Sequence, residues 1–117
     1  MELAPSKIAP RALASWIIFA LGVFLIFKLQ FAANTLWEAD GYLHARMAQI
    51  LQTDGLPRQF HWAKFSYFNE HFSDKDFLYH ALLIPFTLGQ DIFYGSKIAA
   101  ALFASLLLYA FFWPRIF

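Results

Sequence analysis

Cysteine is missing from this chain of 117 residues. Its absence excludes a disulfide framework, a thiolate metal site and a catalytic thiol. Charge is scarce as well. Only 15% of the residues are charged, against roughly a quarter in an ordinary soluble domain. The balance of +1 leaves no basic footprint for nucleic acid. Glycine and proline number five each, and no Gly-rich phosphate loop, serine elbow or haem-attachment motif occurs. Internal repeats and low-complexity segments are lacking too.

Apolar surface fills the gap. Hydrophobic residues make up 60% of the chain, with fifteen Phe and four Trp. That excess fits a membrane protein with aromatic side chains at the interface. Residues 12–27 carry no charge, Lys28 interrupts, and the apolar run resumes to residue 33. The 22 residues of 12–33 would make a helix of about 33 Å, enough to cross a bilayer, with Lys28 snorkelling to the nearer interface. A cleaved signal peptide is the rival. Its apolar core would be long, and Gln30 and Phe31 stand where small residues are needed. An uncleaved anchor is the better reading.

Two further apolar runs follow. Residues 74–89 read as a thin second span that Pro85 kinks, with Ser73 or Asp74 as its cap. Residues 96–113 read as a third, capped by Ser96. In this last run Ala100, Ala104 and Ser105 suit close helix contacts in lipid. Such contacts need partner helices. The expectation is therefore an N-terminal piece of a larger polytopic protein, or a small subunit docked on other helices or on copies of itself. The fold class expected is an all-α membrane protein with about three transmembrane helices. Lys7, Arg11 and Lys97 place the N-terminus and the 89–97 connector in the cytoplasm, and residues 34–73 outside it, at an inner or plasma membrane.

The loop between the first two runs is polar by contrast. Residues 34–76 hold six of the eight acidic residues and three of the four histidines. Leu36, Leu43, Met47, Ile50 and Leu51 recur at helical spacing, and the turn residues Asp54-Gly55-Leu56-Pro57 end the pattern. This predicts an amphipathic interfacial helix. On its wheel Asp40 falls inside the apolar stripe and His44 one turn further along, while Glu38 points away. A carboxylate on a buried face is expensive unless something pairs with it, so Asp40 stands out as functional. From Phe60 to Phe72 an aromatic residue recurs at nearly every second position. Such a stretch suits either a loop lying on the membrane interface or a stacking platform for a sugar ring.

Glu38-x-Asp40 can supply a general base or hold a divalent cation such as Mg2+ or Mn2+. Arg46 or Lys75 can hold a phosphate, although lipid headgroups would satisfy them equally. Asp74 and Asp76 fit helix capping without any further role. His80 is an ionisable group inside an apolar run, a functional candidate by default. No His-x-x-x-His spacing links the four histidines.

Residues 37–46, Trp-Glu-Ala-Asp-Gly-Tyr-Leu-His-Ala-Arg, resemble the first extracytoplasmic loop of GT-C membrane glycosyltransferases. That group includes the oligosaccharyltransferase catalytic subunits and the dolichyl-phosphate-mannose protein mannosyltransferases. Residues 74–83 are similar to the start of their second span, and Leu88-Gly89 with residues 97–109 to the turn and third span. The resemblance implies an inverting transferase that uses a polyprenyl-phosphate-linked sugar. It further implies Asp40 as base, Glu38 as its support, and His44, Arg46, Lys75, Asp74 and Asp76 around the substrate. Two other classes remain open on the residues alone. One is a non-enzymatic small membrane subunit. The other is a transporter fragment in which His80 and Asp40 relay protons.

Overall fold

The structure, a computed structural model, describes residues 10–116, and the side chains of residues 114–116 lie outside the description. Lys7, one of the orientation cues, falls outside it as well. Among the described residues the regular structure is helical, with no strand. Helix α1 is Pro10–Gln30, α2 is Ala39–Asp54, α3 is Phe77–Leu83 and α4 is Ile92–Ile116.

The chain divides into two units. One is Ala33–Ala99; the other joins the residues up to Ala32 with those from Ala100 onward. In the second unit α1 and α4 run antiparallel, because rising numbers on one meet falling numbers on the other. The Phe19 ring meets Tyr109 edge-on at 5.8 Å. A Cβ at Gly22 would lie 2.7 Å from Leu108 Cδ2, so glycine lets the two helices approach there. Ile26, Ala104 and Leu108 line an apolar groove of about 540 Å³ beside this seam.

Both helices are long and apolar enough to cross a membrane. Helix α1, with 21 residues, buries none of its side chains. Helix α4 starts four residues earlier than the sequence suggests. Its cap is Asp91, whose Oδ1 accepts the N–H groups of Phe93 and Tyr94 at 3.0 and 2.9 Å. Ser96, the expected cap, lies inside the helix and its hydroxyl donates to Ile92 O at 2.8 Å.

The second expected span does not form as one helix. Helix α3 has seven residues, about 10 Å of rise where a bilayer needs about 30 Å. Pro85 breaks it into a single 3-10 turn, Ile84–Phe86. These ten residues pack on α2 instead. Ala45, Met47, Ala48 and Ile50 of α2 and Leu83 of α3 are buried. The start of α4 closes the same unit through Gly95. A Cβ there would run into the Phe86 carbonyl, so no larger residue fits this approach. The buried Lys97 donates from Nζ to Ala33 O. Lys97 is thus held inside the unit.

Candidate functional site

The functional candidates converge on α2 and the two segments packed beside it. Helix α2 ends at Gly55, whose φ of 78° is the left-handed conformation glycine takes at a helix end. It begins at Ala39 after Glu38, which holds the cap position without a side-chain cap bond. Asp40 lies in the first turn and is exposed, as is Glu38. This corrects the expectation that Asp40 sits on the buried side. Its azimuth is that of Met47, which is buried. Burial starts only at Ala45, so Asp40 projects ahead of the turns that α3 covers.

The histidine that sequence spacing left isolated is the most tightly held. The turn before α3 is closed by Asp74, whose Oδ1 accepts the Asp76 N–H at 3.0 Å. The other oxygen of Asp74 bonds His80 Nδ1 at 2.6 Å. Both side chains are nearly sealed, 3% exposed for Asp74 and 4% for His80. His80 Nε2 in turn bonds His44 Nδ1 across the helices at 2.8 Å. The half-buried His44 also takes the Tyr79 ring edge-on at 5.1 Å. An ionised carboxylate only accepts, so His80 Nδ1 carries a proton and its Nε2 accepts. His44 Nδ1 must then donate. This tautomer assignment follows from the network and leaves His44 Nε2 as an acceptor. Among the described residues nothing bonds to that atom.

Tyr79 stands beside His44, and its titration is displaced. Partial burial, and secondarily the Glu38 carboxylate nearby, push its hydroxyl above the usual tyrosine range. Asp76 holds the cap position of α3 without a side-chain cap bond. Its carboxylate lies 3.8 Å from Lys75, which is 90% exposed. An exposed pair of this length contributes little. Lys75 stands at the surface just ahead of α3.

The aromatic stretch folds into a closed loop. The Phe72 N–H donates to Arg58 O at 2.9 Å and the Phe60 N–H to Phe68 O at 3.0 Å, and the Phe60 and Phe72 rings stack at 5.0 Å. Trp62 packs edge-on against Phe60 at 5.1 Å. This pair faces α2 across an open groove of about 450 Å³, lined by Tyr42, Leu43, Arg46, Met47, Ile50, Phe60 and Trp62. Arg46 supplies its only cation and is tied to Gln49 one turn on. Phe65, Tyr67 and Phe68 are exposed. The structure thus brings Arg46 to the aromatic platform, and His44 to His80 and Asp74. Asp40 and Glu38 stand at the exposed start of α2. Among the described residues no group of three or more His, Asp or Glu side chains could hold a metal ion.

Sequence spacing missed the His44–His80 bond because the partners are 36 residues apart. The Asp74–His80 pair left a fainter signal, an aspartate in a turn six residues before a histidine that faces inward. Compared with known proteins, the chain matches no family model, no curated protein and no solved structure.

Proposed function

We propose that the chain anchors in a membrane through α1 and α4 and presents the Ala33–Ala99 unit outside the cytoplasm. There it would transfer a sugar from a polyprenyl-phosphate-linked donor to an acceptor hydroxyl. The observation that supports this best is the groove between α2 and the aromatic loop. It joins apolar walls, the three aromatic rings of Tyr42, Phe60 and Trp62, and one guanidinium. An isoprenoid chain needs the walls, a sugar ring suits the faces of Phe60 and Trp62, and a phosphate suits Arg46. A donor whose tail lies in lipid needs its site close to the end of a span, and α2 opens nine residues after α1 ends.

Asp40 is the group that takes the acceptor's proton. It is exposed, so an acceptor reaches it without any opening of the unit. Glu38 lies two residues before it and supports the charge of the site. Arg46 and Lys75 stabilise the negative charge that grows on the leaving phosphate.

The test is transfer from a polyprenyl-phosphate sugar by the full chain in liposomes. Arg46→Gln removes the guanidinium and keeps a polar side chain of similar reach. It should raise the donor concentration needed for half-maximal rate by tenfold or more, about 1.4 kcal/mol of lost phosphate contact. An unchanged donor requirement would rule out the groove as the phosphate site.

A further inference from the structure

The Asp74–His80–His44 chain has a property that neither capping nor packing requires. Its two hydrogen bonds are continuous, with a carboxylate at the buried end and an acceptor nitrogen, His44 Nε2, at the other. A proton that binds Nε2 can stay on His44. Alternatively, the Nδ1 proton of His44 crosses the 2.8 Å bond to His80 Nε2. His80 is then an imidazolium that donates to Asp74 on one side and to His44 on the other. Either arrangement keeps both hydrogen bonds. A second proton does not fit, because it sets two N–H groups and two positive charges against each other. The chain therefore holds one added proton for as long as its hydrogen bonds last.

We propose that Asp74, His80 and His44 form a one-proton relay entered at His44 Nε2, and that it receives the proton that Asp40 takes from the acceptor. The second half rests on the function proposed above; the first does not. Asp40 and His44 are four residues apart on one helix and so share a face one turn apart, with Cβ atoms about 5–6 Å from each other. The O–H bond of the Asp40 carboxyl breaks and an N–H bond forms on His44 Nε2. Asp40 is returned as a carboxylate, and the relay gives its proton up to water through His44 Nε2 before the next acceptor reacts. The positive charge settles beside the ionised Asp74, out of water.

The other titratable groups around the relay leave this balance in place. Tyr79 faces His44 with the edge of its ring and stays neutral, with its titration pushed upward. Glu38 acts on Tyr79. Lys75 and Asp76 pair with each other at the surface. The Ile84–Phe86 turn brings no ionisable side chain to α2. At the start of α4, Asp91 is engaged as a cap and Lys97 with Ala33.

The experiment is nitrogen NMR of the full chain in detergent, with histidine ring nitrogens labelled. In wild type at a pH where histidines are neutral, His44 and His80 should both carry their proton on Nδ1. A through-bond coupling should join His44 Nδ1 to His80 Nε2. On acidification the pair should gain one proton with that coupling kept, and lose the coupling when the second enters. A His44 proton on Nε2 in the neutral state, or a pair that gains its protons independently without coupling, overturns the relay. The catalytic half is read in the transfer assay. His44→Gln should slow transfer at least tenfold, and added imidazole should restore the rate by taking the proton in its place. Transfer at the wild-type rate in H44Q overturns the hand-over from Asp40. A coupled pair together with no sugar transfer by wild type supports the relay and rejects the function proposed above.

Discussion

Lys97 and Ala33 are 64 residues apart, and the ammonium of one donates to the carbonyl of the other. Ala33 follows α1 and Lys97 lies in the second turn of α4. If both helices cross a membrane, their facing ends emerge on the same side. The two halves of the intervening unit, before and after α3, then share one compartment. Reporters inserted at Thr53 and at Gly89 should give the same reading. Opposite readings would restore a membrane crossing between them and contradict the placement of α3 on α2.

Gly95 sets a second expectation. Its approach to the Phe86 backbone leaves no room for a methyl group, and backbone yields less readily than a side-chain tip. Gly95→Ala should destabilise the unit by about 1–3 kcal/mol, the usual range for overpacking. Gly89 has nothing within 4 Å of its Cβ direction, so Gly89→Ala is the control and should be close to neutral. Thermal unfolding in detergent compares the two. Equal midpoints would mean that α4 does not dock through Gly95.

The displaced Tyr79 titration gives a pH expectation whose sign is fixed. Its neutral hydroxyl is favoured in the fold. The stability it contributes is complete below the unfolded value near 10 and is lost as pH rises through the folded value. Stability should thus fall on the alkaline side only, with no change from this group between pH 5 and 8. Glu38→Gln removes the smaller of its two causes and should move the tyrosinate absorbance of Tyr79 part of the way back. An unmoved titration would place Glu38 too far away to act.

Much of this architecture was legible in the sequence, and the failures have separate physical causes. Period and turn chemistry located α2 and its stop at Gly55, because both are local properties. Apolar length marked α1 and α4 for the same reason. The run of residues 74–89 reads as a thin span kinked at Pro85, and in the structure its α-helix stops just before Pro85, after seven residues. The wheel gave the azimuth of Asp40 correctly, yet burial also depends on how far along the axis a neighbour reaches. On α2 full burial begins only at Ala45. The relay was out of reach, since the bond between His44 and His80 depends on two helices meeting. The sequence leaves the aromatic loop open between a membrane surface and a sugar platform, and the groove that Phe60 and Trp62 share with Arg46 depends on the loop closing against α2.

The central claim is that Asp40 removes the acceptor's proton during sugar transfer, and one comparison tests it most directly. Asp40→Asn keeps the shape and loses the charge. Because Asp40 is exposed and in the first turn of α2, the unfolding midpoint should stay within a degree or two. Transfer from a polyprenyl-phosphate sugar by the full chain in liposomes should fall by about 10²–10⁴-fold, the range expected for losing a general base. Glu38→Gln should lose less. A folded Asp40→Asn protein that transfers sugar at the wild-type rate would contradict the account.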